Sequence, residues 1–475
     1  MILKTSIRSE NQSNGWRAYQ SRLQKERQFK RRNQRLRKNR KFFILIPLVF
    51  FAICGLIAGS VGSHPYRQGD AAAQGAKAAP PQQGSKLPQL AKADIQKFIN
   101  PRNFLNHDKN IFEVRNNQQR LMVQTSIDLS LQNYLASKLD LKNSRHIGIV
   151  AMDPDDGRIL AMVGYDKTDA TRNPCTDINY PAASIFKIIT AAAALENCAL
   201  NPDSELYYNG RKHTLYKNQI NTKINKYTNR ISLKDSFAKS VNPVFGKLGA
   251  LDLGKGILET YAKAFGFNSI IDFELPLLPS RTEISDKPYD WAEIASGFNR
   301  RTQISALHGA LISAIILNRG KLIEPTIVDL ITDEQGRELY KNHSVTIEQV
   351  ISPKTSDMVY ELMLATVASG TARREFRKFS RDKILSQLEI GGKTGSINNR
   401  TNDARYDWFV GYAKEKAGNG KIVLSVVVAH EKYIGIRATR YARMAMQKYF
   451  KDFFAAATAS PPNPSSEKQV NLMSH

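Results

Sequence analysis

The strongest feature of the apolar and polar pattern is residues 42–61, FFILIPLVFFAICGLIAGSV, twenty positions without a charge. At 1.5 Å of rise per residue such a helix measures about 30 Å, the hydrocarbon thickness of a bilayer, so the pattern predicts one transmembrane helix. Residues 62–95 follow as a predicted flexible linker rich in Ala, Gln, Gly and Pro, with large apolar residues returning from Leu90. Residues 120–126 (RLMVQTS) read as a short strand, and Asp128 as the N-cap of a helix over 129–139. Residues 146–166 read as a hairpin, two apolar runs joined by Pro154-Asp155-Asp156-Gly157, which is turn chemistry. After Pro181 comes SIFKIITAAAALE, an alanine-rich helix apolar on most sides. Helical pattern continues over 233–266 and 291–317, then over 353–369 with Ser352 as N-cap and a proline at the first position. Strand pattern returns at 388–397, 408–413 and 421–430, and an amphipathic helix over 436–456 closes the domain. A hairpin, a long helical insert, three strands and a helix predict an α+β fold. Its sheet is five-stranded and mostly antiparallel, flanked by helices and split in sequence by an all-helical lobe.

Charge changes the picture at the N-terminus. Of a net charge of +26, roughly half lies in residues 1–41, which carry 14 Lys and Arg against Glu10 and Glu26. A basic run ending against an apolar block predicts a cytoplasmic N-terminus and a domain outside the cytoplasm, periplasmic beyond the inner membrane. The apolar run is longer than the core of a cleaved signal peptide, and Ile53 stands before Cys54 where a lipoprotein needs a small residue. Nucleic-acid binding is set aside, because no zinc spacing, aromatic RNA signature or helix-turn-helix accompanies the charge. Cys175 and Cys198 could pair in an oxidising compartment or stay two separate thiols, and their spacing does not suit a metal. The tail 456–475 (with SPPNPSSEKQ) reads as disordered. The domain between linker and tail is drawn at 96–455, its core from about 120.

An active-site serine needs a base, a proton relay and donors for a developing oxyanion. Ser-x-x-Lys puts hydroxyl and amine on one helical face, but the pattern occurs four times: Ser184/Lys187, Ser236/Lys239, Ser380/Lys383 and Ser465/Lys468. Ser465 is in the tail, and the segments around Ser236 and Ser380 are polar with ordinary surface charge. Ser184 alone opens a long apolar helix, where a lysine is costly to ionise, as a neutral-pH base requires. Ser240-Val241-Asn242, in a polar turn, offers a relay hydroxyl and an amide. Gly391-Gly392-Lys393-Thr394-Gly395-Ser396 lies on a predicted strand, where glycine suggests close approach of another backbone or a ligand. Lys393, with hydroxyls at alternate positions, would suit a carboxylate.

With SIFK, SVN and KTGS in this order and on these elements, the chain resembles the penicillin-binding transpeptidases and their serine β-lactamase relatives. Further stretches over about 120–455 are similar too: VAMDPDDGRILAMVGYD, SGFNRRTQISALHGALISAIILNRG, SGTAR and DWFVGYA. The resemblance implies a peptidoglycan D,D-transpeptidase that cross-links stem peptides through a serine acyl-enzyme and binds β-lactams. It implies Ser184 as nucleophile, Lys187 as its base and Ser240 as relay to the leaving D-Ala. Asn242 would hold the donor amide, and Lys393 would keep Lys187 neutral. Thr394, Gly395 and Ser396 would bind the substrate, the two hydroxyls gripping its carboxylate. The N–H groups of Ser184 and Ser396 would form the oxyanion hole. No metal or cofactor is implied, and any glycosyltransferase would be a separate partner at the membrane. A carboxypeptidase, an endopeptidase, a β-lactamase-like hydrolase and an inactive scaffold are the alternatives.

Overall fold

In a computed structural model the described residues are 89–459 apart from 222–223. The predicted basic segment, transmembrane helix and most of the linker therefore lie outside them. Among the described residues no helix is long and apolar enough to cross a membrane.

Strands β1 (Ile111–Asn116) and β2 (Gln119–Thr125) form a hairpin and lead into helix α1 (Leu129–Ala136), capped by Asp128, whose carboxylate accepts from Leu131 N–H. Strands β3 (Ser144–Met152) and β4 (Ile159–Asp166) follow, then helices α2 (Lys187–Asn197), α3 (Leu233–Ala238), α4 (Asn242–Lys247), α5 (Pro288–Ser296) and α6 (Ala306–Leu317). The chain continues through β5 (Val328–Asp333), β6 (Glu338–Lys341) and α7 (Pro353–Ala368), whose N-cap Ser352 accepts from Thr355 N–H. It ends in β7 (Leu388–Asn398), β8 (Arg405–Glu415), β9 (Lys421–His430) and α8 (Ala438–Ala459).

The central sheet has the order β7-β8-β9-β3-β4, with every pair antiparallel, as the pattern predicts. Its strands read as nearly unbroken apolar runs because both faces are covered. Val150, Met152 and Val427 face the lobe core, while Ile149, Ala151, Val426 and Val428 face the side packed by Tyr441 and Met446 of α8. Helix α6 is buried along Ala306–Ile316, which explains its lack of a polar stripe.

Several expectations need correction. The lobe is not all-helical: it carries the pairs Tyr180–Pro181 with Gln303–Ile304 and Glu205–Tyr208 with Asn229–Ser232. A second, four-stranded sheet, β1-β2-β5-β6, joins residues more than 200 positions apart, and of its members only β2 is visible in local pattern. Buried Glu274 ties this sheet to the lobe by accepting from Thr326 Oγ1 (2.6 Å), Ile327 N–H (3.1 Å) and Tyr340 OH (2.9 Å), and burial raises its pKa. The end of the predicted linker is ordered, with Lys92–Ile95 helical, Ile95 buried and Leu90 N–H bonded to the Leu339 carbonyl. Helix α8 runs on to Ala459, into the predicted tail, because its last turns are alanine-rich. Cys175 and Cys198 form no disulfide. Burial pushes the Cys175 thiol up to about 12, so it packs as a small apolar group.

Candidate active site

The segment before Ser184 is pinned from two sides. Fully buried Trp408 of β8 donates its indole N–H to the Pro181 carbonyl (2.9 Å), and Ala182 N–H bonds to the Thr302 carbonyl (2.9 Å). Ala183 is then held at φ +48°, a left-handed conformation costing about 1–2 kcal/mol for a residue with a Cβ. Residues Ala183–Phe186 form a 3₁₀ turn where the pattern predicts the first turn of an α-helix. The tighter winding has a chemical result: at three residues per turn, positions i and i+3 eclipse, so Lys187 stands directly over Ser184. Its Nζ is 2.9 Å from Ser184 Oγ.

Lys187 is fully buried, and its Nζ also lies 2.7 Å from Asn242 Oδ1 and 2.5 Å from the Ser296 carbonyl oxygen. Burial, and then the neighbouring charge of Lys393, hold this amine well below the ordinary lysine range. A neutral amine has two N–H donors and one lone pair. With both donors spent on Asn242 and Ser296, the lone pair is left for the Ser184 hydroxyl.

Ser240 sits between α3 and α4 at φ +54°, its Oγ 3.1 Å from Ser184 Oγ. Lys393, buried on β7, donates to Ser240 Oγ (3.0 Å) and to the Thr394 carbonyl (3.0 Å), and burial pushes its pKa down to about 7. A continuous chain thus runs from Lys187 through Ser184 and Ser240 to Lys393. Asn242 has its oxygen on Lys187 and an amide N–H on the His213 carbonyl (3.1 Å), so it is committed first to holding the lysine. The Ser236/Lys239 pair lies elsewhere: Ser236, which the pattern places on a polar surface, is buried against the Leu233 carbonyl, and Lys239 bonds Asp235. Exposed Ser380 lies off the cleft, and Ser465 lies outside the described residues.

Strand β7 is an edge strand, so alternate backbone groups face away from β8. With Ser184, Ser240 and Asn242 it lines a cleft of about 950 Å³, into which Thr394, Gly395 and Ser396 contribute. The glycines of the GGKTG segment have three different neighbours. A Cβ on Gly391 would meet the Tyr412 hydroxyl (2.3 Å) and one on Gly392 the Phe409 ring (2.5 Å), while one on Gly395 would press on Trp408 Cβ at 3.2 Å and Ala183 Cβ at 3.3 Å. Of the three, only Gly395 lies against the nucleophile turn, and it meets the side chains of Ala183 and Ile185, not their backbone. Gly391 and Gly392 make room for aromatic side chains, not for a ligand.

Four participants escaped the sequence reading. The Ser296 carbonyl has no side-chain signature. Gly297, at φ +67°, lets that turn lie against Ala183. Thr371 is bound to the Ala238 carbonyl through its N–H and shares a 2.5 Å hydrogen bond with Thr394 Oγ1. Arg405 donates Nε–H to Ser396 Oγ (2.7 Å). The SGFN and SGTAR segments were visible as familiar stretches, but not as contacts to the lysine and the strand.

The family model of the penicillin binding protein transpeptidase domain matches residues 147–454. Among similar proteins, the peptidoglycan D,D-transpeptidase FtsI homolog of Mesostigma viride is 26% identical over 363 residues, 67% of this chain and 58% of that relative. The stage V sporulation protein D of Bacillus subtilis is 26% identical, covering 66% and 50% respectively. The chain thus spans about half to three-fifths of the length of these curated relatives. Among solved structures, the D,D-transpeptidase domain of a peptidoglycan glycosyltransferase from Eggerthella lenta superposes with a TM-score of 0.58 at 23% identity, covering 70% of this chain and 83% of that one. The imipenem acyl-enzyme complex of penicillin-binding protein A from M. tuberculosis gives 0.57 at 21%, covering 69% and 79%.

Proposed function

Because this chain belongs to the penicillin binding protein transpeptidase domain family, we propose that it is a peptidoglycan D,D-transpeptidase that cross-links stem peptides through an ester on Ser184. The observation that carries this reading is the hydrogen-bonded chain Lys187–Ser184–Ser240–Lys393 on the floor of the cleft. Neutral Lys187 takes the Ser184 proton as Oγ attacks the carbonyl carbon of the penultimate D-Ala. Ser240 relays a proton to the terminal D-Ala nitrogen as the C–N bond breaks. Thr394, Ser396 and the Lys393 charge hold the terminal carboxylate, and the N–H groups of Ser184 and Ser396 receive the oxyanion. An acceptor amine then attacks the ester, its C–O bond breaks, and Ser184 regains its proton. The β-lactams named with similar structures would acylate the same oxygen. Residues 1–61, basic then apolar, support an anchor in the inner membrane with the domain on the periplasmic side, tested by whether the protein stays in the membrane pellet after alkaline extraction.

A synthetic pentapeptide ending in D-Ala-D-Ala, incubated with the full chain and an amine acceptor, should yield free D-Ala and a product in which the remaining tetrapeptide is amide-linked to the acceptor. Release of D-Ala with no transfer at any acceptor concentration would make the protein a carboxypeptidase instead. Across pH, the acylation rate should rise as Lys187 loses its proton and fall as Lys393 loses its own, at about 7. Lys393→Ala removes a cation beside Lys187, so Lys187 keeps its proton to higher pH and the acid limb moves upward. An acid limb unmoved in this variant would contradict the coupling.

A further inference from the structure

The carboxylate corner of the cleft opens into a second depression. Beyond Ser396 and Arg405, a groove of about 550 Å³ is walled by the loop after α7 and by the exposed side of α8, and it shares Arg374, Glu375 and Arg440 with the cleft. Arg377, Lys378 and Arg443 line the rest. Its charge is one-sided. Glu375 pairs with Arg440 at 3.3 Å, Asp382 pairs with Arg443 at 3.7 Å, and the cleft carboxylate of Asp407 is taken by Arg437 at 2.8 Å and by Ala438 N–H. Among the described residues no carboxylate lies within 4.0 Å of Arg374, Arg377, Lys378 or Arg405. Cations that line one groove without carboxylate partners raise the local positive potential and favour an anionic ligand.

The chemistry of the reaction says which ligand comes this way. The nitrogen that leaves Ser184's carbonyl carbon and the nitrogen that later attacks it occupy the same position, by microscopic reversibility. The leaving residue carries its carboxylate into the corner of Thr394, Ser396 and Arg405. The acceptor must therefore enter past that corner, along whatever surface continues from it. We propose that the cationic groove seats the acceptor, a peptide bearing an amine and more than one carboxylate. This rests on the transpeptidase reading and adds to it the side of approach and the charge of the second substrate.

The test uses the full-length protein in detergent and the variant Arg377→Gln/Lys378→Gln, whose side chains line the groove but not the cleft. With a pentapeptide donor and an amine acceptor carrying two carboxylates, the ratio of transfer to hydrolysis should fall about five- to tenfold. With the same acceptor amidated at both carboxyls the ratio should not change, and Arg377→Lys should match the parent protein. Covalent labelling by a fluorescent penicillin reports the donor side independently: its absence from the parent protein would sink the transpeptidase reading itself. Intact labelling with an unchanged transfer ratio would overturn the groove alone. Equal losses with acidic and amidated acceptors would overturn it too, as a packing effect. So would loss of binding to phosphatidylglycerol vesicles with transfer intact, which would make the groove a membrane-facing surface.

Discussion

Ser184→Ala is expected to abolish covalent labelling by penicillin, leaving the intact mass unshifted after incubation, and to lower acylation by on the order of 10⁴-fold or more. The size of the effect follows from the geometry. Ser184 Oγ is the oxygen bonded by both Lys187 and Ser240, and neither alternative Ser-x-x-Lys pair among the described residues reaches the cleft. The fold should survive. Without the hydroxyl, Lys187 keeps Asn242 Oδ1 and the Ser296 carbonyl as acceptors, so stability should change by no more than about 1 kcal/mol. A mass shift of one penicillin on the alanine variant would place the nucleophile elsewhere. An unfolded variant would show that the hydroxyl is part of the structure, which its half-exposed position argues against.

Gly297→Ala should damage both stability and rate, although it adds one methyl group to a residue with no reacting atom. A Cβ there would stand 1.8 Å from the Ala183 carbonyl oxygen and 2.9 Å from Ser184 N. Gly297 also ends α5 at φ +67°, where a Cβ itself costs about 1 kcal/mol. Together with the forced displacement, the variant should lose about 2–4 kcal/mol in denaturant unfolding. The displaced parts are the turn carrying Ser184 and the carbonyl of Ser296, which orients Lys187. A shift near 1 Å should slow acylation about 100-fold. Gly256→Ala is the control. Nothing lies within 4 Å of its Cβ, and it sits inside the helix Gly254–Ala264, so it should stabilise by about 0.5–1 kcal/mol with acylation unchanged. If Gly297→Ala acylates at the parent rate, the close packing of the two turns does not govern the position of Ser184.

What could be read from the residues in order was whatever is written in local spacing. The β3–β4 hairpin, the caps at Asp128 and Ser352, the strand over 421–430 and the fit of Lys187 to Ser184 all follow from side chains within a few positions of one another. The unbroken apolar run of β9 even shows that both faces of an antiparallel strand are covered. By contrast β1, β5 and β6 are short with few buried positions, and the pairing that joins the β1–β2 hairpin to the β5–β6 hairpin, β2 with β5, spans more than 200 positions that no local window contains. The lobe's small strand pairs, two and four residues long, are likewise too short to show an alternating pattern.

The residue types of the site, its order along the chain and the family resemblance were determined by sequence alone, because each motif carries its chemistry in side chains at fixed separations. The tertiary structure decided how that chemistry is tuned. It wound Ser184 into a 3₁₀ turn, placed the Ser296 carbonyl on Lys187, turned Asn242 inward, and set Arg405 over Ser396 beside a groove rich in cations. Backbone carbonyls have no letter in the sequence, and contacts between residues a hundred positions apart exist only after the chain has packed. Those contacts, and the burial that comes with them, hold the Lys187 amine below its ordinary range.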